Sequence, residues 1–104
     1  MRTVRVLDAA ADEAIEAAAW YEREQPGLGR EFEMAINAAL DLIEAEFPPL
    51  VSLPGAAGTR GAKRLVMRRF PFDVVVVELG DAWIVVAFAH HARRPGYWRD
   101  RLRT

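Results

Sequence analysis

No cysteine occurs in the 104 residues, which excludes disulfides and thiolate metal sites. A small domain without such staples is typical of the cytosol. Lysine occurs once, at Lys63, so arginine carries nearly all the positive charge. Histidine occurs twice, at His90 and His91. Neighbours in an extended segment point to opposite faces, which argues against one metal ion held by both. No metal and no cofactor are expected. No uncharged apolar run reaches the roughly 18 residues of a membrane span. The opening residues MRTVRVLDAA lack an apolar signal core, and a cytoplasmic protein is expected. There is no glycine-rich phosphate loop ending in Lys-Ser/Thr and no GxSxG. Internal repeats and low-complexity segments are also missing.

What is present is a globular composition, 52% hydrophobic and 28% charged, suited to a single domain over residues 1–104. The net charge of −1 hides a split. Residues 1–58 carry four basic and eleven acidic side chains, and residues 59–104 carry ten basic and four acidic. An acidic half joined to a basic half points the basic half at nucleic acid or an acidic protein. Glutamates solvating helices and arginines solvating strands would give the same split.

TVRVLD (3–8) alternates and predicts a short strand, with Asp8 placed to cap the next helix. The alanine- and glutamate-rich run from Ala9 to about Glu24 favours helix. Ala11, Ala14, Ile15, Ala18 and Tyr21 recur at helical spacing as its apolar stripe. Pro26-Gly27 breaks the chain. A second helix is predicted from Leu28 to about Glu46, with Leu28, Phe32, Ala35, Ile36, Ala39 and Ile43 on one face. A short break between helices predicts an antiparallel hairpin. Three prolines and three glycines mark 47–62 as loop. KRLVMRRF (63–70) alternates, with Leu65 and Met67 inward and Arg64, Val66 and Arg68 outward. DVVVVEL (73–79) is apolar on both faces and needs cover on both. Gly80-Asp81 signals a tight hairpin into AWIVVAFAHH (82–91). Helices followed by strands indicate α+β. The predicted fold is an N-terminal strand and an antiparallel helical hairpin packed on a three-to-four-stranded antiparallel sheet. The first strand lies at an edge or beside the last strand.

The last strand empties into HHARRPGYWRDR (90–101), with four arginines, two histidines, a tyrosine and a tryptophan. A solvated tail would not need the aromatics, and a core would not need the arginines. Arg60, Lys63, Arg64, Arg68, Arg93, Arg94 and Arg99 could converge with His90 or His91 and Tyr97 on a concave sheet. Such a surface suits a phosphodiester backbone, with aromatics stacking on bases. Arginines would stabilise a pentavalent phosphate while His or Tyr transfers protons. The 2′-hydroxyl of RNA is its own nucleophile, so no metal is required. The plainer alternative pairs Arg93 and Arg94 with the acidic helices and packs Tyr97 and Trp98 into the core.

Three segments resemble the RelE/ParE superfamily of toxins from bacterial type II toxin–antitoxin modules, often termed plasmid stabilisation proteins. They are AADEAIEAAAWYEREQPGLGREFEMAI (10–36), RRFPFDVVVV (68–77) and VVAFAHHARRPGYWRDR (85–101). The last resembles the family's strand followed by His-x-x-Arg-x-Pro-x-Tyr-Trp. The resemblance spans nearly the whole chain and implies the same α+β fold. It implies a toxin neutralised by a cognate antitoxin, in a toxin–antitoxin hetero-oligomer, with Trp20 at the antitoxin contact. The target would be the ribosome and its mRNA, cut by a metal-independent endoribonuclease (an mRNA interferase), or else DNA gyrase. Catalytic roles would fall to Arg64, Arg68, His90, Arg93 and Tyr97, and target binding to Arg60, Lys63, Arg94 and Arg99. PGLGREF with FPF and HxxRxPxYW looks closer to the ParE branch, and the lysine cluster of the nuclease archetype is missing. A non-toxic interaction module of the same fold is the remaining alternative.

Overall fold

The computed structural model describes residues 2–45, 50–52 and 61–102, without the side chains of Val51, Ser52 and Leu102. The elements run β1 (Thr3–Val6), α1 (Asp8–Glu24), α2 (Leu28–Glu44), β2 (Val51–Ser52), β3 (Lys63–Val66), β4 (Phe72–Leu79), β5 (Ala82–His90) and a 3-10 turn (Arg99–Leu102). The sheet order is β1-β5-β4-β3-β2. β3, β4 and β5 form the expected antiparallel meander. β1 is both at the edge and beside the last strand, pairing parallel with β5 so that Val4 sits opposite Trp83. The sheet is therefore mixed, because α1 and α2 carry the chain across one face before it returns. Two residues of the expected loop, Val51 and Ser52, extend it beyond β3.

Two apolar clusters hold the layers together. On one face, α1 and α2 cover Leu65, Phe72, Val74, Val76, Trp83, Val85 and Phe88. Phe32 of α2 is fully buried there, its ring 5.0 Å from Phe70 at 85° and 5.1 Å from Phe72. Edge-on aromatic pairs of this kind add to the burial of the rings themselves. On the other face, Val75, Val86 and Ala87 pack against Ala62 and Trp98. The valine run of β4 is thus covered on both sides, by helices on one and by the C-terminal segment on the other.

Several local expectations differ. Asp8 is the first residue of α1 and makes no capping bond; Leu7 is the N-cap, also without a side-chain bond. Asp8 still places negative charge at the positive end of the helix. Ile15 is 66% exposed, because the buried stripe of α1 is rotated toward Ala10, Ala14, Ala17, Ala18 and Tyr21. β3 ends at Val66, and the Met67 N–H bonds the Phe72 carbonyl across the turn.

The helical hairpin depends on two glycines. Gly27 adopts φ +89°, a left-handed conformation that a side chain disfavours. Its N–H and that of Gly29 both donate to the Glu22 carboxylate. At Gly29 a Cβ would lie 2.5 Å from the Ala18 carbonyl oxygen of α1. Gly→Ala in an exposed helix stabilises by about 1 kcal/mol. Gly29→Ala must instead separate the helices, and overpacking of this kind costs about 1–3 kcal/mol. We expect its Tm to fall by about 4–8 °C per kcal/mol; an unchanged or raised Tm in a thermal melt would contradict the close approach.

Candidate functional site

β5 carries one extra residue. Val75 pairs with Ala87 and Val76 with Val85, which leaves Val86 as a bulge. A bulge bends its strand and frees backbone groups from the ladder. Arg101 donates to the Val86 carbonyl at 3.1 Å, and the Phe88 N–H donates to Glu13 of α1 at 3.1 Å. Glu13 also accepts from Arg101, at 2.8 and 3.2 Å, and from the Tyr97 hydroxyl. One carboxylate therefore joins the first helix, the bulged strand and the C-terminal segment. That segment turns repeatedly from His90 onward, with Arg93 N–H to His90, Tyr97 N–H to Arg94 and Arg101 N–H to Trp98.

The turns raise a wall between two clefts. The first, about 370 Å³, lies on the sheet face away from the helices, bounded by Arg64, Asp73, His91, Arg93, Arg94 and Tyr97. Arg64 sits opposite Val75 and Val66 opposite Asp73, so Arg64 and Asp73 share this face. Asp73, only 13% exposed, holds Arg64 at 3.5 Å and His91 Nε2 at 2.8 Å. The Arg64 Nε is buried with no partner among the described residues. Arg93 and Arg94 form no ion pair among the described residues; Arg93 instead lies 4.0 Å from the centre of the Tyr97 ring. The second cleft, about 470 Å³, opens on the helix side of the wall and meets Glu16, Trp20 and Arg23 of α1. His90, Arg93 and Tyr97 border both clefts.

The electrostatics of the wall follow from Glu13. The Tyr97 hydroxyl is pushed well above its ordinary value by burial, then by its hydrogen bond to and the charge of Glu13; Arg101 and Arg93 oppose this. Arg101 is held above its usual value chiefly by the Glu13 hydrogen bond, against burial. Tyr97 is therefore a proton holder at neutral pH, its hydroxyl engaged as a donor. His90 accepts the Ala92 N–H at Nδ1 and packs edge-on against Phe72, while His91 turns to Asp73. The two imidazoles, one at the end of β5 and one in the turn after it, take separate partners.

Among the residues expected at the site, Arg64, His90, Arg93, Arg94 and Tyr97 come together. Lys63 faces the helix side of the sheet, over Trp83 and 3.8 Å from Glu78. Arg68 is exposed in the turn after β3 and does not border the cleft. Arg99 lies against Gly96 outside the cleft. Arg60 lies outside the described residues. Trp20, 50% exposed, borders the second cleft beside Tyr21. Trp98 is a core residue. Asp73, Glu13 and Arg101 carry the geometry although the sequence reading passed over them. Glu13 was detectable as a carboxylate at helical spacing between Ala10 and Ala17, and Asp73 as the charge that opens a valine strand. Among the described residues there is no group of three or more metal-ligating side chains, and no helix is long and apolar enough to cross a membrane.

The fold is α+β, with a helical hairpin on one sheet face and a cationic segment on the other. A chain in a structure of the chromosomal ParDE TA system from P. aeruginosa shares it, with a TM-score of 0.73 over 86% of this chain and 96% of that one, at 14% identity. The fold is thus the one that the RelE/ParE resemblance implies. No protein-family model matches the sequence, and no curated protein does.

Removing Glu13 strands the Phe88 N–H, the Tyr97 hydroxyl and Arg101 together. Breaking a buried pair from one side costs about 3–5 kcal/mol; residual solvent at Arg101 brings the expected cost of Glu13→Ala to about 2–3 kcal/mol. A loss under about 0.5 kcal/mol in urea titration, typical of a surface pair, would refute the network. The pH dependence has a definite sign. Tyrosine ionises at about pH 10 when unfolded, and the folded chain keeps the Tyr97 proton to higher pH. The stabilisation is complete below pH ~10 and lost as pH rises beyond it. Tyr97→Phe should flatten the alkaline fall in Tm; an identical fall in both proteins would dissociate Tyr97 from it.

Proposed function

We propose that this chain is the toxin of a type II toxin–antitoxin module, silenced by a cognate antitoxin, and that the first cleft meets the phosphodiester backbone of messenger RNA on the ribosome. The carrying observation is the cleft itself: Arg64, His91, Arg93 and Arg94 border one concavity, and Arg93 and Arg94 have no carboxylate partner among the described residues. The likeness to a chain of a ParDE system supports the toxin reading through the fold. Arginine suits this role because its planar fork meets phosphate oxygens in pairs. Tyr97 has its proton committed to Glu13, so His91, oriented by Asp73, is the better placed imidazole for passing a proton to a leaving oxygen.

The same Tyr97–Glu13 bond favours a second reading, inhibition of DNA gyrase by surface contact. That activity needs no proton donor, and it agrees with the ParE-like sequence pattern. In either case the protein would work in the cytoplasm.

Expression of the chain alone from a tightly controlled promoter separates the readings. Early loss of amino-acid incorporation with thymidine incorporation intact is the expected result. Arg64→Ala with Arg94→Ala, in a chain that still folds, should raise the expression needed to stop growth by tenfold or more. Early loss of DNA synthesis would replace RNA by gyrase. Normal growth under strong expression would remove the toxin reading and leave an interaction module.

A further inference from the structure

The wall residues His90, Arg93 and Tyr97 border both clefts, yet the clefts differ in chemistry. The first is rimmed by guanidinium groups. The second has an aromatic floor, Phe72 and Phe88, with the exposed indole of Trp20 at its edge. Trp20 keeps half its surface in solvent although α1 has a buried side available. Glu13, Glu16, Trp20 and Arg23 follow each other at helical spacing on the side of α1 that borders this cleft. Glu16 borders the second cleft, whereas Arg64 and Arg94 border only the first, so an anionic group is favoured at the first cleft. A flat, uncharged, nitrogen-rich ring is compatible with the second. It could stack on Trp20 and present amino groups to Glu16.

We propose that the second cleft is a nucleobase subsite, in which Trp20 stacks on a base of single-stranded RNA whose adjoining phosphate rests against Arg64 and Arg94 across the wall. This rests on the RNA reading of the first cleft. Base stacking on an aromatic side chain is tolerant of sequence and strong enough to detect. The volume, about 470 Å³, admits one base with its ribose. Arg93 lies on the wall between the clefts and would meet the linking phosphate.

The test uses the whole chain and two short strands, a 2′-O-methyl RNA pentamer that cannot be cleaved and a strand of equal length and charge without bases. Affinities are measured by anisotropy at low salt. The RNA should bind at least tenfold more tightly than the abasic strand. Trp20→Ala should lower RNA affinity roughly tenfold, in the range of stacking losses, and leave the abasic strand unchanged. Trp20→Phe should retain most of the affinity, which guards against a folding defect in the alanine variant. Equal binding of the two strands, or RNA affinity indifferent to Trp20→Ala, would overturn the subsite, leave the cationic cleft intact and assign Trp20 to a protein contact. No binding of either strand would overturn the RNA reading of the first cleft as well.

Discussion

A single carboxylate organises this molecule. Glu13 sits on the first helix, yet its partners are a strand amide 75 residues away, a hydroxyl 84 residues away and a guanidinium 88 residues away. The Val86 carbonyl at the bulge and the Phe88 amide beyond the end of the β1 pairing are taken up by Arg101 and Glu13. Buried backbone groups without partners are costly, so the irregular strand and the ionic network need each other. The bulge turns the end of β5 toward the arginine-rich segment. The network then fixes that segment against the helix. Both clefts follow from this.

The charge asymmetry of the chain now has a structural basis. The acidic half supplies both helices and the outer strands β1 and β2, and the basic half supplies β3, β4, β5 and the segment behind them. Among the described residues the two halves meet through apolar packing and three ion pairs: Glu13 with Arg101, Glu31 with Arg69, and Glu78 with Arg2. Arg93 and Arg94 are left outside this pairing among the described residues. An arginine beside a cleft with no carboxylate to satisfy it is available to an outside anion. Arg93 is additionally held in place by the Tyr97 ring, which limits the freedom it loses on binding.

Periodicity made much of the fold legible. The helical stripe of α2, the alternation of β3 and the valine run of β4 each identified an element, because burial imposes a repeat on the sequence. The helices shift by one or two residues at their ends. What was not legible depends on tertiary context. Asp8 has the side chain of a cap, but the helix begins at Asp8 itself. Ile15 was assigned to the core by its hydrophobicity, whereas alanines allow α1 to approach the sheet closely on a neighbouring stripe. The parallel pairing of β1 and the pairing of Val51 and Ser52 with β3 leave little periodic mark in strands this short. At the site, proximity in sequence gathered His90, Arg93, Arg94 and Tyr97, and strand alternation added Arg64. Lys63 was separated from them by the same alternation that included its neighbour. The bond from Tyr97 to Glu13 spans most of the chain and has no local signature.

The span of those contacts governs how the molecule is built. Closing a loop of 84 residues costs only slightly more entropy than closing one of half that length, but contacts so distant in sequence slow folding, since nothing rewards them until the chain ends meet. The helical hairpin and the β4–β5 hairpin are local and can form early. The sheet face behind them has no cover until Trp98 arrives and Glu13 captures Tyr97 and Arg101. Until then Val75, Val86 and Ala87 remain wet and the wall between the clefts does not exist. The wall and its two clefts are therefore the last part of this molecule to be assembled and, by the same token, the part most easily lost when the first helix loosens.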